Sequence, residues 1–429
     1  MLNKLKLILS GLLLSVLLAN AQVNTSSPYS RFGLGELKRP GFTSNLAMGS
    51  SGIALRIPNQ INYINPASYT SLDSLSFIFD FGLNGSYTLY KTATSESQLS
   101  NFNIDHIAIA FPITKWWKSS VGITPYSSVG YNIKDPQLLP AIGLTEFYFV
   151  GQGGLSKFFI GNGFNLVKGL SLGFNLSYLF GFQNYVHTIY FPNDPQFART
   201  ESRNRLDIKG ITFNLGLQYT KIFSEKYFIT AGAIYDNEAQ LKALNSITNF
   251  NLFPRSAQPI TDTLITPNYL INSDTLNGKI TYPKNIGVGL SLGIKDKLLL
   301  TGEYSTQEWS KSIIMGISDS LVNSNSMNFG IEYTPGNKGS VKKYFNRIHY
   351  RLGGYYSNSY LRLRENELQD YGITFGVGLP FRNTKTTFNL GFVYGQRGTL
   401  KNNLIKENYG IVNFSMTLHD LWFLKSVID

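Results

Sequence analysis

Four histidines and no cysteine limit the chemistry that this chain of 429 residues can carry. The histidines lie far apart, and none has a second histidine or a carboxylate at the spacing of a helical zinc site such as H-E-x-x-H. Zinc–thiolate sites, iron–sulfur clusters, disulfides and cysteine nucleophiles all require the absent residue. The sequence therefore predicts no metal site and no cofactor. The four positions are His106, His187, His349 and His419.

Two of these histidines stand next to an acid, in the pairs Asp105-His106 and His419-Asp420. Both pairs fall within strand-like segments, where adjacent side chains point to opposite faces, so adjacency argues against a catalytic dyad. The glycine-rich run 151–154 also lies inside a strand pattern. It lacks the strand–turn–helix context of a phosphate loop, which favours a bulge or close packing. We therefore expect that the protein is not an enzyme.

Composition excludes several classes of protein. Apolar residues make up 43% of the chain and charged residues only 15%, against roughly 25% charged residues in ordinary soluble domains. The many aromatic residues (Tyr 26, Phe 30) exclude a disordered chain, and Gly 40 suits small residues placed between aromatic ones. After the N-terminus no apolar run reaches the roughly 20 residues of a membrane helix.

The N-terminus has the three parts of a secretory signal peptide. Lys4 and Lys6 form a basic region, residues 7–18 are mostly apolar, and Ala19-Asn20-Ala21 is a cleavage site of small residues. We predict a signal peptide over 1–21 and a mature chain that begins at Gln22. Export makes nucleic acid an unexpected partner, despite a formal net charge of +12.

Large apolar residues alternate with small or polar residues from about residue 77 onward. In 170–180 the even positions are Leu, Leu, Phe, Leu, Tyr and Phe, while Ser, Gly, Asn and Ser occupy most odd positions. A soluble sheet would expose charges on its second face, but here that face carries few. Segments of about 10 residues, apolar outward and polar inward, are typical of transmembrane β-barrels. A closed barrel also pairs every backbone group within lipid.

Fourteen such segments predict an all-β fold, a transmembrane antiparallel up-and-down barrel over 76–420, followed by a C-terminal tail over 421–429. Short connections alternate with longer ones, as periplasmic turns alternate with external loops. The stretch 238–284 could instead hide two more strands, which would give sixteen. The segments are 77–89, 104–111, 119–131, 146–159, 170–181, 205–220, 227–237, 285–294, 298–308, 326–333, 347–357, 371–381, 386–395 and 408–418.

The predicted short turns are basic and flanked by aromatic residues. Trp116 and Trp117 in the first turn, and Trp422 after the last strand, suit an aromatic girdle at the membrane interface, although they could also be core residues. The lysines could contact anionic headgroups of outer-membrane lipid, or an acidic outer-membrane or periplasmic protein. The basic residues are Lys115, Lys118, Lys221, Lys226, Lys295, Lys297, Lys338, Lys342, Lys343, Arg382 and Lys385.

Residues 22–75 lack the alternation and precede the first strand, so we predict that they form a plug, or hatch, within the barrel. They contain the run Ser27–Gly35, then Gly52-Ile53-Ala54, and then Asn65-Pro66-Ala67. A Gly/Ala-rich stretch, an Asn-Pro-Ala turn and a fourteen-stranded barrel together resemble the FadL-type family of outer-membrane transporters for long-chain fatty acids and other hydrophobic compounds. The arrangement covers nearly the whole mature chain, but the Ser27–Gly35 run is not part of that family's pattern.

The resemblance implies an outer-membrane location, a hatch, and an inward kink in the third strand that opens a lateral gap. In that family the Asn-Pro-Ala turn lies close to the kink, and this role would fall on Asn65, Pro66 and Ala67. Independently, Pro125 interrupts the third segment, and proline cannot donate to a strand ladder. Pro125 could therefore border the gap, or occupy a bulge that opens no passage.

Two functions from different classes follow. In the first, which is the leading prediction, hydrophobic small molecules pass passively through the hatch and leave by the lateral opening into the membrane, and the second is its alternative. In the second, the barrel is a non-transporting accessory or structural subunit of a larger outer-membrane complex, such as a secretion or assembly machine. Arg351 is a candidate polar site in the lumen for a ligand carboxylate, unless it pairs with Glu332 or Glu303. Transport requires an apolar pocket that is continuous with the gap, whereas a structural role suits a filled lumen.

Overall fold

The computed structural model describes residues 25–140, 142–194, 197–224, 226–252, 269–316, 321–336, 343–382 and 384–421. The predicted signal peptide lies outside these residues, as does the predicted tail apart from Leu421. Trp422 also lies outside them, so its place in the girdle stays a prediction. Within the described ranges no helix is long and apolar enough to cross a membrane.

Sixteen strand segments form the wall, and they correspond to all fourteen predicted segments. They are β1 (Ser76–Lys91), β2 (Glu96–Pro112), β3 (Trp117–Leu139), β4 (Gly143–Val167), β5 (Leu170–Tyr190), β6 (Arg199–Phe223), β7 (Tyr227–Asp236), β8 (Ala239–Leu252), β9 (Tyr269–Tyr282), β10 (Asn285–Ile294), β11 (Leu298–Gln307), β12 (Ser324–Tyr333), β13 (His349–Leu363), β14 (Asn366–Pro380), β15 (Thr387–Arg397) and β16 (Lys406–Leu421).

The wall closes as an antiparallel barrel with fourteen strand positions. The last strand β16 pairs with the first strand β1 along its whole length, from Lys406↔Lys91 to Leu421↔Ser76. The stretch 238–284 does contain two strands, but they add no new position. Strand β8 is the upward continuation of β7, and β9 leads down into β10. At the lower level β7 pairs with β10. At the upper level β8 pairs with β9 and with the upper part of β6, so each pair of segments occupies one strand position. The prediction of fourteen strands is confirmed.

The barrel is much taller on one side, which corrects the prediction of long external loops. Strands β3 to β6 have 21 to 25 residues, whereas a barrel strand needs only about 9–11 residues to cross a membrane. Several predicted external loops are therefore mostly strand, joined by tight connections such as 92–95 and 364–365. The alternation detects only the lipid-facing part of a strand, so it misses the part that projects beyond the membrane.

An exposed apolar belt surrounds the barrel and explains the alternation. On β6 the outward positions run from Ile211 through Phe213, Leu215 and Leu217 to Tyr219, and all are exposed. This run of nine residues is the length of a membrane-crossing strand. The inward positions between them are small or polar, including Thr212 and Gln218, which are buried. The belt and the closed wall are those of an outer-membrane β-barrel.

The N-terminal segment lies inside the wall, and we call residues 25–75 the plug. Its short elements are the 3-10 helix Pro28–Arg31, the plug strand Glu36–Leu37, the helix Thr43–Leu46 and the 3-10 helix Pro66–Ser71. Residues 41–55 and 61–70 are buried throughout. The plug runs from the outer mouth of the barrel, where Tyr29 lies, to the periplasmic end, where Asp73 meets Lys385 at 2.5 Å.

Candidate functional site: the plug and the wall beside the third strand

The Asn-Pro-Ala turn fastens the plug to strands β6 and β7. The Asn65 side chain caps the following 3-10 helix by accepting the Ala67 N–H at 3.1 Å. Its amide group donates to Ile53 O of the plug at 2.7 Å and, at 3.3 Å, to the wall carbonyls of Leu217 and Ala233. These wall partners lie on β6 and β7, whereas Pro125 lies on β3. The structure therefore does not bring Asn65 against Pro125, and the shared role of Asn65, Pro66, Ala67 and Pro125 as a gate stays a prediction.

The backbone ladder between β2 and β3 is incomplete. It consists of six pairs, from Pro112↔Lys118 to Ile107↔Ile123, and the upper parts of the two strands do not pair. Pro125 lies two residues beyond the last pair, next to a register shift between Pro125 and Ser127 in the ladder with β4. The wall thus has an interruption in the strand where a lateral gap is predicted.

The plug strand occupies the place that β2 leaves beside β3. Glu36 pairs with Ser128 and Leu37 with Ser127, and the Lys38 N–H donates to Tyr126 O at 3.0 Å. Backbone groups of β3 that would otherwise face lipid or the lumen unpaired are therefore satisfied by the plug. We call residues 36–39 the strap, because they lie across the interruption on its inner side.

Glycines let the neighbouring strands follow the inward course of β3. Gly154 on β4 and Gly181 on β5 both have φ of +152°. A Cβ on Gly154 would lie 2.3 Å from Ser127 O, and one on Gly181 would lie 2.2 Å from Gly154 O. No other residue tolerates both the conformation and the contact. The expectation of close packing in the run 151–154 agrees with these contacts.

A chain of buried polar groups joins the strap to the wall. Lys38 forms an ion pair with Asp105, and Asp105 bonds His106 Nδ1 at 2.6 Å. His106 Nε2 bonds Asp80 at 2.8 Å, and Asp80 accepts the Thr417 hydroxyl at 2.6 Å. The plug residue Phe42 stacks on the imidazole, with centroids 3.7 Å apart and planes 8° apart. The chain thus spans the plug and strands β2, β1 and β16.

The expectation that Asp105 and His106 face opposite sides is wrong, and a bulge is the reason. The β1–β2 register shifts between Gly82↔His106 and Leu83↔Ile104, which leaves Asp105 unpaired and turns both side chains inward. The pair still forms no catalytic dyad, because both imidazole nitrogens bond carboxylates and neither faces a hydroxyl. Within the described ranges no three histidine or acidic side chains are grouped to hold a metal ion.

A second buried network, on the neighbouring strands β14 to β16, also holds the strap. Arg397 on β15 lies between Glu36 of the strap at 2.5 Å and Asp370 of β14 at 3.1 Å. Glu407 lies 3.6 Å from the same guanidinium and accepts the Ser27 hydroxyl at 2.5 Å. Here the wall ladder is continuous, because β14, β15 and β16 pair along their lengths. The strap is therefore bound by charge to β2 and β15, which both lie on the β2 side of the interruption, and by its backbone to β3 on the other side.

Arg39, the last strap residue, reinforces this second network. Its guanidinium lies 3.9 Å from the ring centroid of Tyr355 and donates to the Tyr409 hydroxyl at 3.1 Å. The two tyrosine hydroxyls bond each other at 2.7 Å. Neighbouring acidic and phenolic groups raise the pKa of Arg39 despite its burial.

Arg351 and Glu303 bond groups of the protein itself. Arg351 donates to Glu332 at 2.7 Å and to Asn389 at 2.9 Å, and it is 3% exposed. The pairing of Arg351 with Glu332 is the predicted alternative to a role of Arg351 in ligand binding. Glu303 instead accepts the backbone N–H groups of Gly52 at 2.9 Å and Ala54 at 3.2 Å. Both side chains therefore support the plug and wall, and the use of Arg351 by a ligand stays a prediction.

Arg56 is a plug cation that no carboxylate pairs with among the described residues. It donates to Ser171 at 3.0 Å, to Gln218 at 3.1 Å and to Thr70 at 2.8 Å. Burial lowers the pKa of Arg56 to about 10. Neutral wall side chains therefore hold the lower plug, whereas ion pairs hold the strap.

The outer mouth is filled by an apolar core. Trp309, which is 0% exposed, packs on Tyr360 with centroids 4.4 Å apart. Tyr360 also donates to Gly35 O at 2.6 Å, and Tyr29 exchanges hydrogen bonds with the backbone of Ile405. The run Ser27–Gly35 therefore ties the plug to the mouth. Further members of the core are Leu34, Leu155, Leu179, Leu206, Ile208, Leu241, Ala243, Ile280, Tyr282, Leu361, Leu368 and Leu404.

Two small cavities lie beside the strap, and both are lined by polar as well as apolar groups. One of about 150 Å³ lies next to the wall interruption, where Asn84, Asn101 and Asn103 face the strap. The other, of about 270 Å³, lies on the far side of the strap. Its wall carries amides, hydroxyls and charges, for example Asn175, Asn328 and Asp236. Both volumes are below the roughly 300–1,000 Å³ of typical ligand pockets, which are also mostly apolar.

Sequence reasoning missed Lys38, Asp80, Asp105, His106 and Arg397. A usable signal was present, since charged residues are rare in the wall and Asp80 and Arg397 interrupt otherwise apolar or small-residue strands. Because of the bulge at Asp105, both Asp105 and His106 point inward, and strand alternation alone does not predict this.

Solved structures of outer-membrane channels share this fold. The Pseudomonas putida toluene transporter TodX aligns with a TM-score of 0.60 at 13% identity, covering 90% of this chain and 100% of that one. A Pseudomonas aeruginosa FadL homologue aligns at 0.58 with 11% identity, covering 90% and 99%. The Ralstonia pickettii toluene transporter TbuX aligns at 0.56 with 14% identity, also covering 90% and 99%. The predicted resemblance to FadL-type barrels is confirmed for the fold.

A search of curated proteins finds no match to this chain. The family model described as BamG, in contrast, matches residues 1–429, which is the whole sequence. This plugged fourteen-stranded outer-membrane barrel therefore belongs to the BamG family.

Proposed function

We propose that this barrel is a non-transporting structural subunit of a larger outer-membrane protein assembly. The single observation that carries the proposal is the filled lumen. An apolar core closes the outer mouth where a hydrophobic substrate would first be captured, and the cavities below it are small and of mixed polarity. An apolar molecule gains free energy only by leaving water for an apolar site. The amides and charges that stand among the apolar groups of these cavities make them poorer sites for such a molecule than a purely apolar pocket.

The fastening of the plug supports the same proposal. Ion pairs to Asp105 and Arg397 and a backbone ladder to β3 hold the strap at three points. Releasing it would leave buried charges without partners, which costs several kcal/mol. A plug held in this way suits a rigid scaffold better than a hatch that opens in each transport cycle.

Mild detergent extraction of the tagged native protein, followed by sizing and mass spectrometry, tests this proposal. We expect stoichiometric partner proteins and no bound hydrophobic ligand. A matched uptake assay uses proteoliposomes and a monoaromatic hydrocarbon, the class named for the toluene transporters. We expect uptake equal to that of protein-free liposomes. A lone barrel that carries lipid or fatty acid and exceeds that baseline would overturn the structural role.

Passive lateral transport of hydrophobic small molecules is the second candidate, and one observation favours it. The β2–β3 ladder ends at Ile123, and the lining of the 150 Å³ cavity includes both the strap and Pro125 beside this interruption. Strap movement would then be the transport step, and the fold shared with toluene transporters agrees with such a route.

A reversible cross-link tests this candidate, because the chain has no cysteine of its own. Leu37 and Ser127 are paired residues, and antiparallel partners lie within disulfide reach. If transport occurs, oxidising a Leu37→Cys/Ser127→Cys variant abolishes uptake and a reductant restores it. The control pair Ala110→Cys/Ser120→Cys joins β2 to β3 in the intact part of the ladder and leaves uptake unchanged. Equal uptake with the strap locked and unlocked would eliminate the lateral route.

A further inference from the structure

Three lysines stand in one row on the outer face of the tall side of the barrel. Lys209 of β6 is the ladder partner of Lys242 of β8, and Lys242 is the partner of Lys279 of β9. Directly paired residues of antiparallel strands lie on the same face, with Cβ atoms about 4.5–5.5 Å apart. All three side chains are exposed. Their neighbours Ile208, Leu241 and Ile280 are buried in the core, so the lysines point away from the lumen.

This row lacks the carboxylates that accompany other cations of the same strand. On β6, Arg205 bonds Asp207 through two nitrogens at 2.9 Å, and Arg203 bonds Glu201 at 2.6 Å. In the part of the chain that the structure describes, no carboxylate pairs with the three lysines. Strand β8 contains no acidic residue, and Asp274 of β9 is five residues from Lys279, which places it on the opposite face. Like charges in direct cross-strand pairs destabilise a sheet.

The row lies at the outer edge of the apolar belt. On β6 the belt runs from Tyr219 to Ile211, and Lys209 is the next outward residue. Phe180 of β5 is the ladder partner of Lys209 on its other side and stacks on Tyr178 at 5.6 Å. A cation above a belt and beside interfacial aromatic rings lies at the level of lipid headgroups.

A shallow apolar groove lies lower on the belt, where the exposed Tyr235 separates it from this row. Its floor is Ala231 and Ala233 on the outward face of β7. Ala233 is paired with Leu217 on one side and with Val288 on the other. Small residues between large ones leave room for an acyl chain beneath the charged group.

We propose that Lys209, Lys242 and Lys279 form a binding site for the phosphate group of an outer-leaflet glycolipid. Three ammonium groups on adjacent strands provide a positive site that a single phosphate can neutralise, and lysine binds phosphate as a point charge. The bound anion removes the repulsion between the lysines, and the acyl chains lie against the belt and the groove. This site is independent of any traffic through the lumen.

Lipid binding to the purified full-length barrel tests the proposal by native mass spectrometry and thermal unfolding in detergent. The probes are bis-phosphorylated lipid A, its dephosphorylated form and inorganic phosphate. We expect lipid A to bind and to raise the unfolding temperature. Replacement of all three residues (Lys209→Gln, Lys242→Gln, Lys279→Gln) weakens its affinity about a hundredfold, since each lysine near an anionic lipid surface contributes about fivefold. The matched control replaces Lys168, Lys311 and Lys401, three exposed lysines outside this row, by Gln and leaves the affinity unchanged.

A single charge reversal separates binding from loss of fold. Lys242→Glu places a carboxylate between Lys209 and Lys279, so it raises the unfolding temperature of the lipid-free protein while it abolishes lipid A binding. Weak binding of the dephosphorylated lipid, together with no effect of inorganic phosphate, identifies the lipid headgroup as the source of the anion. Competition by inorganic phosphate at equal affinity identifies a free-anion site. Unchanged lipid A affinity in the triple variant would overturn the proposal.

Discussion

Two networks of ion pairs attach the strap to the barrel, and they differ in whether the wall strands around them are continuously paired. On the β2–β3 side, which we call the gap side, the ladder is interrupted, and one half-buried lysine, Lys38, forms an ion pair with Asp105. On the β14–β16 side, which we call the ladder side, Arg397 lies among three carboxylates and the wall is continuous. Lys38 is 20% exposed at its side chain and Arg397 is 14% exposed, so burial alone does not separate the two.

The difference lies in what remains when one ion pair is lost. On the gap side Asp105 keeps His106 and Asn84 as partners, at 2.6 Å and 3.1 Å. On the ladder side the loss of Arg397 leaves Glu36, Asp370 and Glu407 close together without their shared cation. The ladder side therefore holds the strap more strongly than the gap side, and the gap side is where the strap can be released locally.

The largest expected effect comes from Arg397→Gln. Two buried carboxylates, Asp370 and Glu407, and the half-buried Glu36 lose their cation, and breaking a buried ion pair costs about 3–5 kcal/mol of unfolding free energy. Denaturant unfolding of the barrel in lipid vesicles measures this loss. The control is Arg364→Gln, because Arg364 is exposed in a tight turn and its guanidinium donates only to the backbone carbonyls of Asn402 at 2.8 Å and Asn403 at 3.3 Å. Equal stability of the two variants would contradict the assignment of the ladder side as the main attachment.

Lys38→Gln tests the gap side and has a smaller expected effect. Since Asp105 keeps two partners, we expect a loss of about 1–2 kcal/mol in unfolding free energy. Amide exchange gives the sharper result, because the Lys38 N–H bonds Tyr126 O and exchanges faster once the strap loosens. Lys38→Arg keeps the charge and restores slow exchange. If exchange at this amide is unchanged in Lys38→Gln, the ion pair does not hold the strap.

Gly82→Ala adds one carbon atom next to His106, and it tests whether the position of this imidazole stabilises the gap side. A Cβ on Gly82 would lie 2.3 Å from His106 Cε1, so the imidazole must shift from its partners and from Phe42. Overpacking of this kind costs about 1–3 kcal/mol. The control is Gly85→Ala on the same strand, whose Cβ would meet nothing closer than 3.7 Å and which we expect to change stability by less than about 0.5 kcal/mol. Similar losses of unfolding free energy in both variants would show that replacing a glycine of this strand destabilises the barrel through the backbone and not through His106.

The wall could be predicted from sequence because one physical rule governs it. Lipid outside and small or polar groups inside impose a period of two on every membrane-crossing segment, and all fourteen segments obey it. The rule fails above the membrane, where β8 and β9 have no lipid-facing side to reveal them. It also fails at Asp105, where a bulge resets the direction of every later side chain by one position.

The plug's contacts could not be predicted in the same way. Asn65 was singled out for its resemblance to a known turn, yet its wall partners are the backbone carbonyls of Leu217 and Ala233, which carry no sequence signal. Lys38 of the strap is far from its partner Asp105 in sequence, and Glu36 is separated from Arg397 by most of the chain, so these pairs form only after the barrel closes. Ion pairs between residues so far apart in sequence can be predicted only when the strand register is known.

The smallest expected effect, and the one that separates two causes of the wall interruption, comes from Pro125→Ala. Proline removes a donor from β3, but the strap already occupies the edge of β3 at Tyr126, Ser127 and Ser128. If the strap causes the interruption, restoring one N–H leaves the β2–β3 ladder ending at Ile123, and the unfolding free energy changes by less than about 1 kcal/mol. Amide exchange along residues 101–106 of β2 then remains as in the unaltered protein. If proline is the cause, these amides gain protection in Pro125→Ala alone. A double variant with Lys38→Gln completes the comparison, since only a loosened strap together with a restored donor would let β2 compete for the edge of β3.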